Sequence, residues 1–251
     1  MKLSKLAWNI TNKCNQGCRY CFRFDDKDIL DKESHFNVIK NVKNLGVKEL
    51  TYSGGECLLV PHLTELLEFS QDLGIKNSLN TNGKLLNDEK LSEIKGYLKQ
   101  VNLSLDTLND NTNNKIGRFG DHRETILNRI DLLKSQNLDV GVTTVVMQCN
   151  KDDIIELGQE LSKYKLKRWK LLQFTPSRFL SKLHQKEFEI SDNEFNKVVE
   201  QVKHLFSNEL LASIESRSRN YFNKDYGVIT PDCRLIVMGQ NCDHDYGDLS
   251  K

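Results

Sequence analysis

Short runs rich in apolar and β-branched residues alternate with longer stretches whose apolar residues recur every three or four positions. The longer stretches have the periodicity of amphipathic helices, as Phe36, Ile39 and Val42 illustrate. This alternation predicts right-handed crossovers and a parallel sheet, either doubly wound or curled into a partial barrel. The six runs with the strand pattern are residues 5–11, 48–53, 76–81, 100–106, 140–147 and 168–174.

The alternating pattern stops after the sixth predicted strand. The remaining chain predicts a helix over residues 192–206, a short strand near 211–216, and a hairpin with Pro231 and Asp232 in its turn. We therefore divide the chain into two parts. They are a core of residues 1–175 and a C-terminal extension of residues 176–251 that packs on the core.

Composition and charge exclude several partners. The 36 basic and 35 acidic side chains nearly cancel, so we expect neither nucleic acid nor a membrane surface as a partner. No stretch has the apolar length of a membrane span, and the first residues do not resemble a signal peptide. We expect a soluble protein of the cytoplasm, a compartment in which thiols stay reduced. Clustered cysteines then indicate metal ligands or catalytic groups before disulfides.

Three of the seven cysteines are close together in the chain. Three residues separate Cys14 from Cys18, and two separate Cys18 from Cys21. A structural zinc site needs four ligands, and the nearest histidine, His35, falls on a predicted helix. A four-iron cluster can instead be held by three thiolates, with one iron left free to bind a small molecule. The spacing therefore favours an iron-sulfur cluster over zinc.

Polar groups follow the ends of the first four predicted strands. The cysteine loop follows the first strand, residues 54–57 (Gly-Gly-Glu-Cys) follow the second, Asn82 follows the third, and Ser104 and Asp106 end the fourth. Because the carboxyl ends of parallel strands share one rim, we expect these groups to meet there. Two glycines would let the charged end of a ligand lie against exposed backbone, with the glutamate paired to an ammonium group.

These motifs together resemble the radical S-adenosylmethionine (SAM) superfamily. The resemblance rests on Cys14, Cys18 and Cys21 in a CxxxCxxC pattern, on Tyr20 before the last cysteine, and on the Gly-Gly-Glu turn after the second strand. It implies a partial (β/α)6 barrel with a C-terminal helix and hairpin extension. It also implies a [4Fe-4S] cluster whose open iron chelates SAM, and reductive cleavage of SAM to a 5'-deoxyadenosyl radical that abstracts hydrogen from a substrate. The electron would come from a donor such as flavodoxin or ferredoxin.

The resemblance also implies roles for single residues in cofactor binding. Tyr20 would pack near the adenine, and the backbone of Gly54, Gly55 and Glu56, with the Glu56 carboxylate, would take the methionine amine. Two alternatives remain open: Ser104 could make only a hydrogen bond at the end of its strand, and Arg118 could be a solvated surface charge. The candidates for the ribose and the carboxylate of SAM are Asn80, Asn82, Ser104 and Arg118.

Within the superfamily, the order of segments resembles viperin-like enzymes, which modify nucleotides. The resembling segments surround Arg118 and begin at Thr143 and Arg168. Arg168 and Lys170 would face a triphosphate, because alternate strand residues point the same way and two cations can clamp phosphate. The chain departs from the viperin pattern at Gly141 and Thr143, where viperins place lysine and asparagine.

Other functions remain open at this stage. One is a radical SAM maturase that modifies a peptide, because the C-terminal segment resembles in layout the cluster-binding extensions of such enzymes. Another is a non-catalytic iron-sulfur or zinc scaffold. Cys57, where viperins commonly have proline, is a candidate hydrogen-atom donor to a substrate radical, or else a buried apolar residue. The cysteines outside the loop are Cys57, Cys149, Cys233 and Cys242.

Overall fold

The computed structural model describes residues 3–24, 27–29, 31–176, 178–206, 214–219, 226–238 and 243–251. Strands and helices alternate through the sixth strand, and each of the six predicted strands overlaps an observed one. In chain order the elements are β1 (Lys5–Asn9), α1 (Lys32–Asn44), β2 (Glu49–Ser53), α2 (Leu63–Asp72), β3 (Lys76–Thr81), α3 (Asp88–Ile94), β4 (Leu98–Ser104), α4 (Asp110–Ile116), α5 (His122–Ser135), β5 (Asp139–Val146), α6 (Ile154–Leu161), β6 (Arg168–Gln173), α7 (Phe179–Leu183), α8 (Gln185–Phe188), α9 (Asp192–Phe206), β7 (Ile214–Arg217), β8 (Tyr226–Ile229), β9 (Arg234–Met238) and β10 (Asp243–Asp248).

One sheet contains all of these strands, in the order β10-β9-β8-β1-β2-β3-β4-β5-β6-β7. Strands β1 to β7 pair in parallel with their neighbours, and β8 joins β1 in parallel. Strands β8 and β9 pair antiparallel, as do β9 and β10. The sheet does not close on itself, so the predicted α/β class with a partial barrel is confirmed.

The C-terminal extension adds strands at both edges of the core sheet. Helix α9 spans the predicted residues, and Pro231 and Asp232 lie in the turn of the β8–β9 hairpin. The strand predicted near 211–216 corresponds to β7, and its residues 211–213 lie outside the described ranges. The division into core and extension remains a prediction. In the described ranges, no helix is both long and apolar enough to cross a membrane.

The two faces of the sheet differ in character because side chains alternate along each strand. Large apolar side chains such as Trp8 and Trp169 are fully buried in the hydrophobic core. The register aligns polar residues in rows across neighbouring strands on the other face. One row joins Asn80, Asn102, Gly141 and Arg168, and the next joins Ser104, Thr143, Lys170 and Glu215.

The buried His35 and the partly exposed His62 form a hydrogen-bonded pair that fixes the segment after the cysteine loop. His35 Nδ1 lies 2.9 Å from His62 Nε2, and His35 Nε2 lies 2.7 Å from the Ile29 carbonyl oxygen. Because a carbonyl only accepts, we assign the proton of His35 to Nε2, and its Nδ1 accepts from His62. The Ile29 N–H in turn donates to the Pro231 carbonyl. The pair thereby links α1 to the C-terminal hairpin.

We expect the free energy of unfolding to fall as the pH drops below about 6.5. Burial lowers the pKa of His35 from 6.5 to about 4 and that of His122 to about 3. Between these values the unfolded state binds more protons, so each histidine removes up to about 1.4 kcal/mol per pH unit. Urea titrations at pH 7 and pH 5 measure the slope. His35→Gln should flatten it, and an unchanged slope would argue against this origin.

Candidate active site

The predicted site residues converge on a cavity of about 260 Å³ at the carboxyl ends of the strands. Three predicted residues, Glu56, Cys57 and Arg168, are not among the described residues that line it. Those that do line it are Cys14, Cys18, Tyr20, Cys21, Gly54, Gly55, Asn80, Asn82, Ser104, Arg118 and Lys170.

The turn that ends α4 holds the cysteine loop from outside. Gly117 adopts a positive φ of 83°, and a Cβ there would lie 2.2 Å from the Gly17 carbonyl oxygen. Only glycine permits this approach of two backbones. The Arg19 N–H also donates to the Ile116 carbonyl at 3.0 Å. The loop carrying the three thiols is therefore fixed to a distant part of the chain.

The Gly-Gly turn holds the same loop from its other end. The Gly55 N–H donates to the Thr11 carbonyl at 2.6 Å, and the Glu56 N–H donates to the Lys13 carbonyl at 2.8 Å. A Cβ on Gly55 would lie 2.1 Å from the Lys13 oxygen, and one on Gly54 would lie 2.4 Å from the Thr11 oxygen. The two sequence motifs thus form one structural unit, in which the glycines admit the backbone that leads into the first cysteine.

Gly55→Ala should destabilise the protein by about 1–3 kcal/mol and lower its capacity to bind iron, because the new methyl group meets backbone that cannot move aside. Gly96→Ala is the matched control, since a Cβ there meets nothing within 4 Å. Urea titration and iron analysis of both variants measure the difference. Equal stabilities of the two variants would contradict the close packing of the motifs.

Glu56 is directed into the protein, away from the cavity. Its carboxylate accepts from Thr81 Oγ1 at 2.7 Å, from the Asn82 N–H at 2.8 Å and from the Leu58 N–H at 3.2 Å. Burial raises its pKa, while these hydrogen bonds lower it. The side chain therefore fastens the Gly-Gly turn to the end of β3. Its predicted contact with a methionine amine stays a prediction that would require this carboxylate to turn.

Cys57 lies in the hydrophobic core, and its role as a hydrogen-atom donor stays a prediction. It is fully buried, and its Sγ lies 3.5 Å from the Asn80 carbonyl oxygen. Burial and the neighbouring Glu56 raise its pKa well above the ordinary value. The side chain points inward from the turn and packs as a small apolar group.

A buried hydrogen-bonded triad lies beside the cysteine loop. The Tyr20 hydroxyl donates to Asp106 at 2.5 Å and accepts from Arg118 Nη2 at 2.7 Å, while Arg118 Nε lies 3.3 Å from the same carboxylate. Arg118 is only 6% exposed, so the alternative of a solvated surface charge is wrong. The sequence indicated a place for Asp106 in the site only through its position at the end of a predicted strand.

The thiols of Cys18 and Cys21 are held in their protonated form by burial. Burial raises the pKa of Cys18 to about 11 and also raises that of Cys21, while the Arg118 charge lowers both. Such thiols become thiolates readily only when metal cations replace their protons. In a four-iron cluster each thiolate would ligate a different iron.

Positive side chains occupy the inner face of the sheet below the thiols. Arg168 Nη2 donates to Asn102 Oδ1 at 2.9 Å, and Lys170 lines the same cavity as the cysteines. Burial, together with Arg217 and Arg168, lowers the pKa of Lys170 to about 7. A second cavity, of about 550 Å³, opens toward the amino ends of the strands and is lined by all three cations.

Arg217 was missed by the sequence prediction, and it changes the account of Gly141. Arg217 ends β7, pairs in register with Leu172, and lines both cavities. A Cβ on Gly141 would lie 2.4 Å from Asn102 Oδ1 and 2.8 Å from Gln100 Nε2. The side-chain amides of Gln100 and Asn102 therefore fill the space in which viperins have a lysine. The cation Arg217 reaches the cavity from β7 instead.

The cysteines outside the loop are dispersed in the described structure. Cys57 and Cys233 belong to the buried core, and Cys149 packs on a second apolar cluster, which includes Tyr20 and which Cys18 also contacts. Cys242 lies outside the described residues. The described thiols thus give no geometric support for the second cluster that the maturase alternative would need.

Residues 8–161 match the family profile described as Radical SAM superfamily. The match covers more than half of the chain, and the chain therefore belongs to the radical SAM superfamily of enzymes. This confirms the predicted family, which uses a [4Fe-4S] cluster and S-adenosylmethionine.

Several curated relatives have names that describe enzymes acting on nucleotides. The S-adenosylmethionine-dependent nucleotide dehydratase of Lacinutrix mariniflava is 28% identical over 77% of this chain and 43% of its own length. The enzyme of the same name from Flammeovirga pacifica is 27% identical over 98% of this chain and 86% of its own length. The probable GTP 3',8-cyclase of Methanocaldococcus jannaschii is 39% identical over 57% of this chain and 48% of its own.

Solved structures share the fold at lower sequence identity. Streptococcus suis SuiB bound to S-adenosylmethionine has a TM-score of 0.75 at 16% identity, over 93% of this chain and 59% of SuiB. Native anSMEcpe with bound AdoMet and a peptide has a TM-score of 0.71 at 18% identity, over 99% of this chain and 78% of that protein. These likenesses show the architecture.

Proposed function

We propose that this enzyme acts on a nucleoside triphosphate, in the manner of viperin-like nucleotide dehydratases. The observation that carries the proposal is the position of Arg168, Lys170 and Arg217 on the inner face of the sheet, with two of these cations lining the same cavity as the three thiols. The names of the curated relatives support the same substrate class.

The cofactors would occupy the upper part of the cavity. Cys14, Cys18 and Cys21 would hold a [4Fe-4S] cluster, and the cluster with SAM supplies a radical that abstracts a hydrogen atom from the substrate. Arg118 is held beside Cys18 by Asp106, where its charge favours anionic groups such as thiolate and carboxylate. The buried Arg118–Asp106 pair thereby gives the cofactor site a guanidinium group of fixed position.

The substrate would lie below the cofactor, with its phosphates toward the amino ends of the strands. Arg168 is oriented by Asn102 and by Glu215, whose carboxylate lies 3.5 Å from it. A bound triphosphate would favour the charged form of Lys170 and so raise its lowered pKa. Guanidinium groups make paired hydrogen bonds to phosphate oxygens, which gives the site geometric specificity.

A SAM-cleavage assay with a panel of possible substrates tests this proposal. The protein is purified and reconstituted without oxygen, reduced with dithionite, and given SAM with each nucleoside triphosphate or with short peptides. We expect brown protein with about four irons per chain and a release of 5'-deoxyadenosine that one nucleoside triphosphate stimulates. Stimulation by a peptide alone would favour the maturase alternative, and a colourless, zinc-loaded protein would favour the scaffold.

Arg217→Gln should raise the KM for the stimulating nucleotide by about 10- to 100-fold, because a charged hydrogen bond contributes about 1.5–3 kcal/mol. Lys5→Gln is the matched control, since Lys5 lines the lower cavity but is 70% exposed and paired with Glu49. Deoxyadenosine release at varied nucleotide concentrations gives the KM of each variant. A wild-type KM for Arg217→Gln would remove this residue from the phosphate site.

The proposal also includes a site of approach for the electron donor and a cellular compartment. A one-electron carrier such as flavodoxin or ferredoxin would approach where the cysteine loop nears the surface, beside Phe119, which is 56% exposed and packs on Gly17. We place the enzyme in the cytoplasm, where a reducing environment would keep the loop thiols available to iron.

A further inference from the structure

A side-chain amide inside the cysteine loop has a buried donor without a partner in the described part of the chain. Gln16 lies between Cys14 and Cys18 and is 9% exposed. Its Oε1 accepts the Phe119 N–H at 3.2 Å, which fixes the orientation of the amide. Its Nε2 is buried and has no hydrogen-bond partner among the described residues. Leaving a buried donor unpaired costs about 1–3 kcal/mol, so a partner that is bound later would recover this energy.

A second amide reaches the first cysteine of the loop from β3. Asn82 Nδ2 lies 3.8 Å from Cys14 Sγ and 2.7 Å from Asn15 Oδ1. Its own Oδ1 accepts the Lys84 N–H at 3.1 Å, so the two ends of the amide are assigned by their partners. Asn82 is buried at the cavity wall. One of its N–H groups is therefore directed at sulfur, rather than only at the ribose or carboxylate expected from the sequence.

We propose that Gln16 and Asn82 donate N–H···S hydrogen bonds to the sulfur atoms of the cluster or of its thiolates, and that these bonds raise its reduction potential. This inference rests on the proposed function. The reduced cluster carries one more negative charge than the oxidised one, and a hydrogen bond to a more negative acceptor is stronger. The donors therefore stabilise the reduced form, which SAM cleavage requires, and the two residues act as tuning residues that need not touch the substrate.

Redox titration of the reconstituted cluster, followed by electron paramagnetic resonance without SAM, tests the inference. Gln16→Glu keeps the acceptor for Phe119 and loses the donor, while Gln16→Met loses the donor without adding charge. We expect each to lower the ratio of reduced to oxidised cluster about tenfold at a fixed solution potential, which corresponds to about 59 mV for one electron. Asn82→Asp, which keeps the acceptor for Lys84, should shift the ratio in the same direction.

Asn15→Asp separates the loss of a donor from the gain of a charge. It adds a carboxylate to the same loop while leaving both amide donors in place, so its shift should be smaller than that of Asn82→Asp. An equal shift would assign the effect of Asn82→Asp to charge alone, and a wild-type potential in iron-loaded Gln16→Met would overturn the role of Gln16. If Gln16→Met fails to bind iron, Gln16→Glu is compared with Asn15→Asp, and equal shifts of these two variants would overturn the role of Gln16.

The outcome also distinguishes this inference from the proposed function. A wild-type protein that holds no cluster would overturn both. A wild-type protein that holds about four irons and cleaves SAM, with variants that titrate as it does, would overturn the tuning role alone.

Discussion

Cys18→Ser should reduce the iron content to near background and lower SAM cleavage by more than about 100-fold. Loss of a group that only hydrogen-bonds to a metal ligand lowers metal affinity or activity about 10- to 100-fold, and loss of a ligand itself should cost more. Cys18 is the middle thiol of the loop, lies at the cavity wall, and is close enough to Arg118 for its charge to lower the thiol pKa. A serine hydroxyl is a harder ligand than thiolate and is far less readily deprotonated, so it cannot replace it on iron. Iron analysis and deoxyadenosine release measure the two effects.

Cys149→Ser is the matched control for the loss of a thiol. Cys149 is partly exposed and packs on the same apolar cluster as Cys18, but it lies outside the cysteine loop. Its variant should keep the iron and the activity of the wild type. If Cys149→Ser lost iron as Cys18→Ser does, or if Cys18→Ser kept its iron, the assignment of the three loop thiols as the cluster ligands would fail.

The arrangement of the core sheet was predictable because its cause is local. Each strand is a short apolar or alternating run, and each connection carries a helical period, so the sequence of β3 predicts its own bounds at Lys76–Thr81. Helix α9 was equally predictable from its apolar stripe. Parallel pairing then follows from the crossovers, and the rim of the site follows from parallel pairing.

The partners of the site residues were harder to predict, because they depend on contacts between distant segments. Glu56 carries the pattern of a ligand-binding carboxylate, yet its oxygens bond to the end of β3. Asp106 and Tyr20 are 86 residues apart and meet only in the folded chain. Arg217 reaches the cavity because β7 pairs with β6, and neither strand alone shows that pairing.

Asp106→Asn should lower the free energy of unfolding by about 3–5 kcal/mol in the protein without cofactors, because it leaves the Arg118 charge buried without its counter-ion. The side chains of Asp106 and Arg118 are 1% and 8% exposed, so water cannot replace the lost carboxylate. Natural proteins are stable by about 5–15 kcal/mol, so this loss is a large share of the total. Urea titration followed by circular dichroism measures it.

A control and a second substitution show whether the buried charge is the cause. Asp110→Asn removes the partner of Arg123 from an exposed pair, whose side chains are 66% and 47% exposed, and should cost less than about 1 kcal/mol. Arg118→Met in the Asp106→Asn background should restore much of the lost stability, because it removes the unpaired charge. If the double variant were no more stable than Asp106→Asn, the loss would come from the hydrogen bonds of Asp106 to Tyr20 and to the Val145 N–H instead.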